Sequence, residues 1–282
     1  MSESLRIATF NLQSGTANQS FPAGGVRFSR AALMATVNKI AELELDVLLL
    51  QEVEEKRWRS GSVSQTEVFA KALAMDAYFV PVERMVAGRT LWDLTPWRDS
   101  GGFGLSILSR FELSECVKLQ LPMRKQILRR AGNRNIGING WQMKMPKPRI
   151  CSYAKVGLDS GKTLIFGNMH LSRRFESAQE QLVIAAGGVQ KLQSRNPELF
   201  SDAAVILGGD FNLSATAVAK SLEESEPLQG FEFLARVPSY PDAKPQRQID
   251  HLLGRGVRGL KSEAFQMPIS DHRLVMAEIE LA

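Results

Sequence analysis

The segment around Asp210 places a carboxylate and a carboxamide directly after an apolar run. Residues 203–207 are apolar, two glycines follow, and Asp210 and Asn212 are separated by a single residue. If residues 203–207 form a buried strand, both side chains point the same way from its C-terminal end, because side chains alternate along a strand. Glycines at that point let a ligand approach the backbone. The pattern predicts a base beside an amide at the rim of a sheet.

Polar residues also lie at the ends of five other apolar runs. They are Asn11, Glu52, His170, Asp250 and the pair Asp271 and His272. Each has an ordinary explanation when taken alone, since Asn and Asp are common turn residues, a lone Glu is usually solvated and a lone His is usually structural. Yet all three histidines of the chain, the third being His251, lie in these segments. The joint pattern favours one shared site at the ends of several strands.

Convergence of these acidic side chains would favour a bound cation. Several carboxylates in one cleft repel one another and lose hydration, and a metal ion relieves both effects. The donors are oxygens with no thiolate nearby, which selects a hard ion such as Mg²⁺ or Mn²⁺ rather than zinc. Such a site suits hydrolysis of a phosphate ester. The metal polarises the phosphoryl group, a carboxylate activates water, and a histidine binds the phosphate or protonates the leaving group.

Hydrophobic patterning predicts more strands than helices. Strands are predicted at residues 5–12, 46–51, 78–82, 103–109, 150–158, 162–170, 203–207, 248–253 and 274–281. Helices are predicted at residues 29–45, 66–75 and 174–194, and a loop at 88–102. Consecutive strands without an intervening helix argue against a simple alternating βαβ sheet and favour two packed mixed sheets with helices outside. No linker rich in Pro, Gly or Ser is found, so we expect one domain over residues 1–282, with a surface insertion at about 123–147.

The composition is that of an ordinary globular protein, with 282 residues of which 44% are hydrophobic and 23% charged. No apolar run is long enough to span a bilayer, and the N-terminus lacks the basic start and apolar stretch of a secretory signal. Cys116 and Cys151 are the only cysteines, too few for a disulfide scaffold or a four-thiolate zinc site. We expect a cytoplasmic monomer.

Positive charge is concentrated in one stretch of a chain whose formal net charge is +5. No acidic residue occurs between Glu115 and Asp159, whereas ten basic residues do: Lys118, Arg124, Lys125, Arg129, Arg130, Arg134, Lys144, Lys147, Arg149 and Lys155. The stretch is either a solvated loop or a contact for a polyanion. Trp141 within it favours a contact, because a solvated loop gains little from an exposed indole.

The order of the motifs resembles that of the endonuclease/exonuclease/phosphatase superfamily, which has the DNase I-like fold. The matching segments are Thr-Phe-Asn11-Leu, Leu-Gln-Glu52-Val, Gly-Phe-Gly-Leu-Ser-Ile-Leu-Ser-Arg110, Asn168-Met-His170-Leu, Gly-Asp210-Phe-Asn212, Gln-Ile-Asp250-His-Leu and Ser-Asp271-His272. The resemblance covers nearly the whole chain. It implies an α/β four-layer sandwich, in which two packed mixed β-sheets are flanked by helices, a divalent metal that is usually Mg²⁺, and cleavage of phosphodiesters or phosphomonoesters.

The resemblance also implies roles for individual residues. Asn11 and Glu52 would form the principal metal site, with Asp271 as a further metal or water ligand. Asp210 would activate water, Asn212 would hold the phosphate, Asp250 would orient His272, and His170 and His272 would be the acid/base pair that contacts the phosphate. Substrate contacts are expected from Gln13, Arg98, Arg149 and Asn168. Many members carry Asp where Gln13 stands, and this departure makes a second metal there less favoured.

Three functions are compatible with these residues. The first is a Mg²⁺-dependent nuclease or nucleotide phosphodiesterase, because basic loops neutralise phosphates and loop tryptophans such as Trp92 and Trp97 could stack on unpaired bases. The second is a phosphatase or phospholipase C-like hydrolase of inositol or sphingolipid headgroups, since basic loops also attract anionic membranes. The third is a non-catalytic binding module that kept the fold. Nucleic acid or a nucleotide is the favoured partner, and a lipid headgroup is the alternative.

Overall fold

A computed structural model describes residues 3–18, 28–86, 89–90, 102–122, 128–130, 141–143, 148–200 and 203–281. The predicted substrate residue Arg98 and the tryptophans Trp92 and Trp97 lie outside the described residues. Of the insertion at 123–147, only the backbone of two short paired strands, Leu128–Arg130 and Trp141–Met143, is described.

Fifteen strands and five α-helices are found in these ranges. The strands are β1 (Ser4–Asn11), β2 (Val47–Glu55), β3 (Asp76–Val86), β4 (Arg89–Thr90), β5 (Gly102–Ser109), β6 (Leu113–Leu121), β7 (Leu128–Arg130), β8 (Trp141–Met143), β9 (Arg149–Gly157), β10 (Thr163–His170), β11 (Ala204–Asp210), β12 (Glu232–Phe233), β13 (Asp250–Arg255), β14 (Val257–Phe265) and β15 (Leu274–Leu281). The helices are α1 (Arg30–Ala41), α2 (Gln65–Leu73), α3 (Phe175–Arg195), α4 (Pro197–Phe200) and α5 (Ala215–Glu224).

The long strands form two mixed sheets. The first sheet has the order β14-β15-β1-β2-β5-β3-β4, and the second has the order β12-β13-β11-β10-β9-β6. Parallel pairs occur in both, between β1 and β2 and between β10 and β11, whereas the neighbouring pairs are antiparallel. The two sheets therefore have the same mixed character, as expected from strands that follow one another without a helix.

Apolar side chains hold the sheets and helices together in four layers. Between the sheets, Leu49 and Ile107 of the first sheet belong to the same buried cluster as Phe166 and Ile206 of the second. Residues of α1 and α2 pack against the outer face of the first sheet. Residues of α3 and α5 pack against the outer face of the second sheet. The order helix, sheet, sheet, helix confirms the predicted four-layer sandwich.

The predicted elements are largely found, with shifts at their ends, but three of the longer elements and several of two to four residues were missed. Strand β11 continues through both glycines to Asp210 rather than ending at residue 207. The longer missed elements are β6, β14 and α5. Strands β6 and β14 lie at sheet edges and expose most of their side chains, so their sequences lack the apolar runs that marked the buried strands. The predicted loop at 88–102 contains the short strand β4.

None of the helices in the described part of the chain combines the length and apolar character that crossing a bilayer requires.

Candidate active site

Strand register brings the polar residues to one rim. Strands β10 and β11 run parallel with His170 opposite Asp210, and β13 runs antiparallel to β11 with Asp250 opposite Asp210. In the other sheet, β1 and β2 run parallel with Asn11 opposite Gln51. The two sheets are joined at this rim, because Asn11 Nδ2 donates a hydrogen bond of 3.0 Å to Asp210 Oδ2. The site therefore lies where the ends of strands from both sheets meet.

The Asp210 carboxylate lies at the centre of this rim and is only 2% exposed. Its Oδ1 accepts a hydrogen bond from the Asn212 backbone amide at 3.0 Å. Its Oδ2, which also accepts from Asn11, lies 3.4 Å from His170 Nε2 and 3.9 Å from His272 Nε2. One carboxylate oxygen thus faces two imidazoles, which places a base and two proton-carrying groups close enough to act on one substrate.

Glycine at position 209 is required for this arrangement. Gly209 has a φ of 140°, and a Cβ atom added to it would lie 1.9 Å from the carbonyl oxygen of Met169. Any other residue would clash with β10 at this point. Glycine lets β10 and β11 remain paired up to their last residues, His170 and Asp210.

Glu52 reaches the same rim through a β-bulge. The pairing of β2 with β5 shifts register between Leu50 and Val53, and Glu52 has a φ of 53°. Bulges re-aim side chains, and a non-glycine residue with positive φ costs energy that is commonly found at functional sites. Glu52 Oε1 lies 3.8 Å from His170 Nδ1, and the side chain keeps 21% of its surface exposed. The bulge therefore presents a solvent-accessible carboxylate beside the buried His170–Asp210 pair.

A buried carboxylate holds His272. The Nδ1 atom of His272 lies 2.8 Å from Asp250 Oδ2, and the Ser239 hydroxyl donates to the same oxygen at 2.6 Å. Burial alone would lower the pKa of His272, but the carboxylates of Asp250, Asp210 and Asp271 raise this pKa to about 9. At neutral pH His272 is consequently protonated, with its second ring nitrogen near Asp210.

The surroundings of the Asp210 carboxyl raise its pKa, which favours a role as a base. Burial and the neighbouring Asp250 carboxylate raise the pKa of Asp210 to about 7, against the opposing influence of His272 and of hydrogen bonds from Asn11 and the Asn212 amide. A general base is most effective when its pKa lies near the working pH. Asp210 can therefore accept a proton from water at neutral pH more strongly than an ordinary solvated aspartate.

His251 is structural. It is fully buried, with Nε2 at 2.9 Å from the Leu213 carbonyl oxygen and Nδ1 at 3.2 Å from Gln248 Nε2. Burial lowers its pKa to about 4, so its ring is neutral at physiological pH. Of the three histidines in the sequence, only His170 and His272 line the candidate site.

The donor atoms at the rim fit a hard divalent cation. One ligand atom each from Asp210, Asp250 and His272 lies within 4.8 Å of the other two, but His272 is protonated and bound to Asp250, so the carboxylates are the donors that remain for an ion. The Oδ1 atom of Asp250 is buried and has no hydrogen-bond partner among the described residues. Glu52 adds a more accessible carboxylate on the far side of His170. Carboxylate oxygens are preferred by Mg²⁺ and Mn²⁺, so the residues present suit such an ion.

Two predicted residues occupy positions that differ from the expectation. Asn168 is fully buried, and its amide donates to the carbonyl oxygens of Leu50 and Ser106, both at 2.9 Å, while its Oδ1 accepts from Gln51 Nε2 at 2.8 Å. It ties the two sheets together beneath the rim, so the predicted substrate contact is replaced by a positioning role. Asn212 lies beyond the end of β11 with a φ of 52°, rather than alternating with Asp210 along the strand.

The remaining predicted residues lie around the rim. The Asp271 side chain is 43% exposed, with Oδ1 at 3.9 Å from His272 Nε2. The Gln13 backbone amide donates to Asn11 Oδ1 at 3.0 Å. Arg149 lines a cleft together with Glu52 and His170, and the other lining residues are Val82, Phe103, Gly104, Leu105, Pro148 and Ile150. This cleft is the visible approach to Glu52 and His170.

Sequence reasoning missed several supporting residues. Ser270 donates its hydroxyl to the Asn11 carbonyl oxygen at 2.6 Å and accepts from the His272 backbone amide at 3.0 Å. The Tyr240 ring packs on the His272 ring with centroids 4.9 Å apart. The position of Ser270 directly before the Asp271-His272 pair was a weak indication that it belongs to the site. Ser239 and Tyr240 lie in a polar loop without any pattern that would have singled them out.

Comparison with known proteins agrees with this geometry. The profile of the Endonuclease/Exonuclease/phosphatase family matches residues 8–272. The chain belongs to this family. Members of the endonuclease/exonuclease/phosphatase family are phosphoesterase hydrolases that generally depend on a divalent metal ion. No curated protein sequence gives a significant match.

Solved structures share the fold at low sequence identity. An endonuclease/exonuclease/phosphatase from Beutenbergia cavernae is 18% identical, with 99% of this chain and 72% of that chain covered and a TM-score of 0.65. The mannosyl-6-phosphatase of Bacteroides thetaiotaomicron is 18% identical over 98% of this chain and 99% of its own, with a TM-score of 0.62. The human Nocturnin catalytic domain with bound sulfate is 14% identical over 100% of this chain and 97% of its own, with a TM-score of 0.63. These likenesses show the fold, not the substrate.

Proposed function

We propose that the protein is a Mg²⁺-dependent phosphodiesterase that acts on nucleic acids or nucleotides. The observation that carries the hydrolytic part of this proposal is the position of Asp210 Oδ2, which lies 3.4 Å from His170 Nε2 and 3.9 Å from His272 Nε2. A carboxylate between two imidazoles, beside a partly exposed glutamate, has the groups that phosphoester hydrolysis needs.

The chemistry is assigned to residues as follows. Asp210 accepts a proton from a water molecule as the water oxygen attacks phosphorus. His272, protonated and fixed by Asp250, donates a hydrogen bond to a phosphoryl oxygen and stabilises the charge that develops there. As the bond between phosphorus and the leaving oxygen breaks, His170 supplies the proton that this oxygen takes up. Asn212, beside Asp210 at the rim, holds the phosphate in line for the attack.

The divalent ion is assigned to the side of the site that carries Glu52. Glu52 and Asn11 are its proposed ligands, and Asp271 is a further one. When bound there, a divalent ion would neutralise negative charge on the phosphoryl group and on the leaving oxygen. Gln51, in the middle of β2, donates its side-chain amide to Thr9 Oγ1 at 3.0 Å and to Asn168 Oδ1 at 2.8 Å. These bonds fix the position of the neighbouring Glu52.

Charge and an exposed indole near the rim support a nucleic-acid substrate. Strand β2 passes Glu52 and ends at Glu55, and the following turn carries Trp58 with 75% of its surface exposed. Lys56 is an exposed cation two residues before this indole, whereas Arg59 on its other side forms an ion pair with the buried carboxylate of Glu54. Arg149 lines the cleft itself. Positive charge with an exposed aromatic ring is the combination that binds single strands, through phosphate neutralisation and base stacking.

A phosphomonoesterase or a headgroup hydrolase is the second candidate. It draws on one observation, namely that a fold neighbour covering nearly the whole chain is a mannosyl-6-phosphatase. A small phosphomonoester would need the central site but not the exposed indole, so the two candidates predict different effects of substitution at Trp58.

The test is a panel of substrates assayed with Mg²⁺ and with chelator. The panel includes single- and double-stranded DNA, RNA, an abasic duplex, dinucleotides, sugar phosphates, inositol phosphates and sphingomyelin. The proposal expects Mg²⁺-dependent hydrolysis of the nucleic-acid or nucleotide substrates. Exclusive hydrolysis of phosphomonoesters or of sphingomyelin would replace it by the second candidate.

Both cysteines are free thiols, which accords with a reducing, cytoplasmic compartment.

A further inference from the structure

The loop between β12 and β13 carries an arginine that the hydrolytic mechanism does not use. Arg247 has its guanidinium carbon 4.7 Å from the centroid of the Tyr240 ring. The same Tyr240 ring lies 4.9 Å, centroid to centroid, from His272. The guanidinium is therefore one aromatic ring away from an imidazole that faces Asp210.

The position of this arginine is fixed by backbone as well as by the ring contact. The Tyr240 amide donates to the Arg247 carbonyl oxygen at 3.0 Å, and the Arg247 amide donates to the Tyr240 carbonyl oxygen at 2.9 Å. The Ser239 amide also donates to the Arg247 carbonyl oxygen at 2.9 Å, and the Ser239 hydroxyl binds Asp250. The loop that carries Arg247 is thus attached to the carboxylate that holds His272.

The charge of Arg247 is not matched by the protein. The side chain is exposed, and it forms no ion pair with a carboxylate within the described ranges. Arg273, a cation of the same region, differs because its Nε donates to the Asp242 carbonyl oxygen at 2.9 Å and lies 3.9 Å from the carboxylate of that residue. A guanidinium that is oriented by stacking and keeps its donors available is suited to bind a phosphate.

We propose that Arg247 binds the phosphate next to the scissile one on a nucleic-acid strand. This inference rests on the proposed function, and it adds a specificity residue on the His272 side of the site. The Tyr240 ring separates the Arg247 guanidinium from the His272 imidazole. The distance between these two groups is therefore of the same order as the distance between neighbouring phosphates on a single strand. The preferred substrate is consequently an oligonucleotide with at least two phosphates, rather than a dinucleotide or a small phosphomonoester.

The experiment compares four substrates and four forms of the protein. The substrates are a dinucleoside monophosphate, a trinucleoside diphosphate, and the same trinucleoside with an uncharged methylphosphonate in place of either one of its phosphates. The proteins are the wild type, Arg247→Gln, Arg247→Lys and the matched control Arg236→Gln. Arg236 is an exposed arginine of the same loop that stacks at 4.2 Å on Phe233, a ring that contacts His251 instead of His272.

The proposal predicts that the wild type prefers the trinucleoside diphosphate, by about tenfold or more in kcat/KM over the dinucleoside and over one methylphosphonate isomer. Arg247→Gln should lower this ratio by about the same factor, and Arg247→Lys should retain part of it because the charge remains but the planar stacking is lost. Arg236→Gln should keep the wild-type ratio. Thermal unfolding midpoints identify any variant that is misfolded.

The outcomes that would overturn the inference differ from those that concern the proposed function. If the wild type cleaves all four substrates equally well, or if Arg247→Gln and Arg236→Gln change the ratio alike, Arg247 does not bind a second phosphate. If no phosphodiester of the set is cleaved in Mg²⁺, it is the proposed function that fails.

Discussion

Asp250 Oδ2 accepts a hydrogen bond from His272 Nδ1 at 2.8 Å, although Asp250 begins a strand of one sheet and His272 precedes a strand of the other. This bond fixes the ring of His272, and Asp250 contributes most among the three carboxylates that, against the effect of burial, raise the pKa of His272 to about 9. In Asp250→Asn the carboxylate charge is lost, so we expect the pKa of His272 to fall towards that of an ordinary imidazole, about 6.5. NMR titration of the metal-free protein measures this shift directly.

The same substitution has a consequence for activity. Because protonated His272 is proposed to stabilise the phosphoryl oxygen through a hydrogen bond, the alkaline limb of the rate profile should move to lower pH in Asp250→Asn. Asp271→Asn is the matched control, since its carboxylate lies 3.9 Å from His272 and is 43% exposed, and its effect on the pKa should be smaller. An unchanged titration of His272 in Asp250→Asn would show that Asp250 does not set its charge.

Asn168 should contribute to stability instead of substrate affinity. Replacing it by alanine removes three buried hydrogen bonds between the sheets and leaves their partners unsatisfied. We expect the free energy of unfolding to fall by about 3 kcal/mol, measured by urea denaturation. Asn212→Ala is the control at the exposed side of the rim, and it should lower kcat with a much smaller loss of stability. A rise in KM for Asn168→Ala at unchanged stability would instead support the original prediction of a substrate contact.

His251 should make stability depend on pH in the acid range. Its folded-state pKa of about 4 lies below the ordinary value of 6.5, so its contribution to stability is present above pH 6.5 and is lost as pH falls towards 4. The shift corresponds to about 3 kcal/mol. Denaturation of the wild type and of His251→Gln between pH 7 and pH 4 isolates this contribution as a difference in slope. Equal slopes in the two proteins would mean that His251 is protonated in the folded state.

Trp58 separates the two candidate functions. The Trp58 side chain is 75% exposed, so Trp58→Ala should behave as an ordinary surface substitution. We expect its thermal unfolding midpoint to lie within about two degrees of the wild-type value. If Trp58 stacks on an unpaired base, KM for a single-stranded oligonucleotide should rise about tenfold. Leu260→Ala, at an exposed apolar residue of the edge strand β14, is the control and should not change KM. An unaltered KM in Trp58→Ala would remove the support that this residue gives to a nucleic-acid substrate.

Much of the fold and the site could be predicted from the sequence, because apolar runs indicate buried strands. Polar residues at the ends of these runs are easily recognised. Asp210 and His170 were placed correctly on this basis, and register brings them opposite each other. The interior role of Asn168 could not be predicted, since an Asn two residues before a histidine gives no sign of whether it faces the cleft or the other sheet.

Tertiary contacts account for the other omissions. The bulge that re-aims Glu52 depends on its pairing with β5, more than 40 residues away in sequence, and nothing local encodes it. The contact of Tyr240 with His272 depends on how the loop before β13 folds back on the rim. Edge strands such as β14 were missed because they expose most of their side chains and therefore lack the periodic apolar signal.

The most direct test of the central claim is the rate of phosphodiester hydrolysis by Asp210→Asn in Mg²⁺. The account predicts a loss of about 10³-fold in kcat, as expected for removal of a general base, in a protein that remains folded. Asp242→Asn is the matched control, because Asp242 is another buried carboxylate whose contacts are with Asn18, Gln266 and Arg273 instead of His170 or His272, and it should retain most of the activity. Near-normal hydrolysis by Asp210→Asn would contradict the assignment of this rim as the catalytic centre.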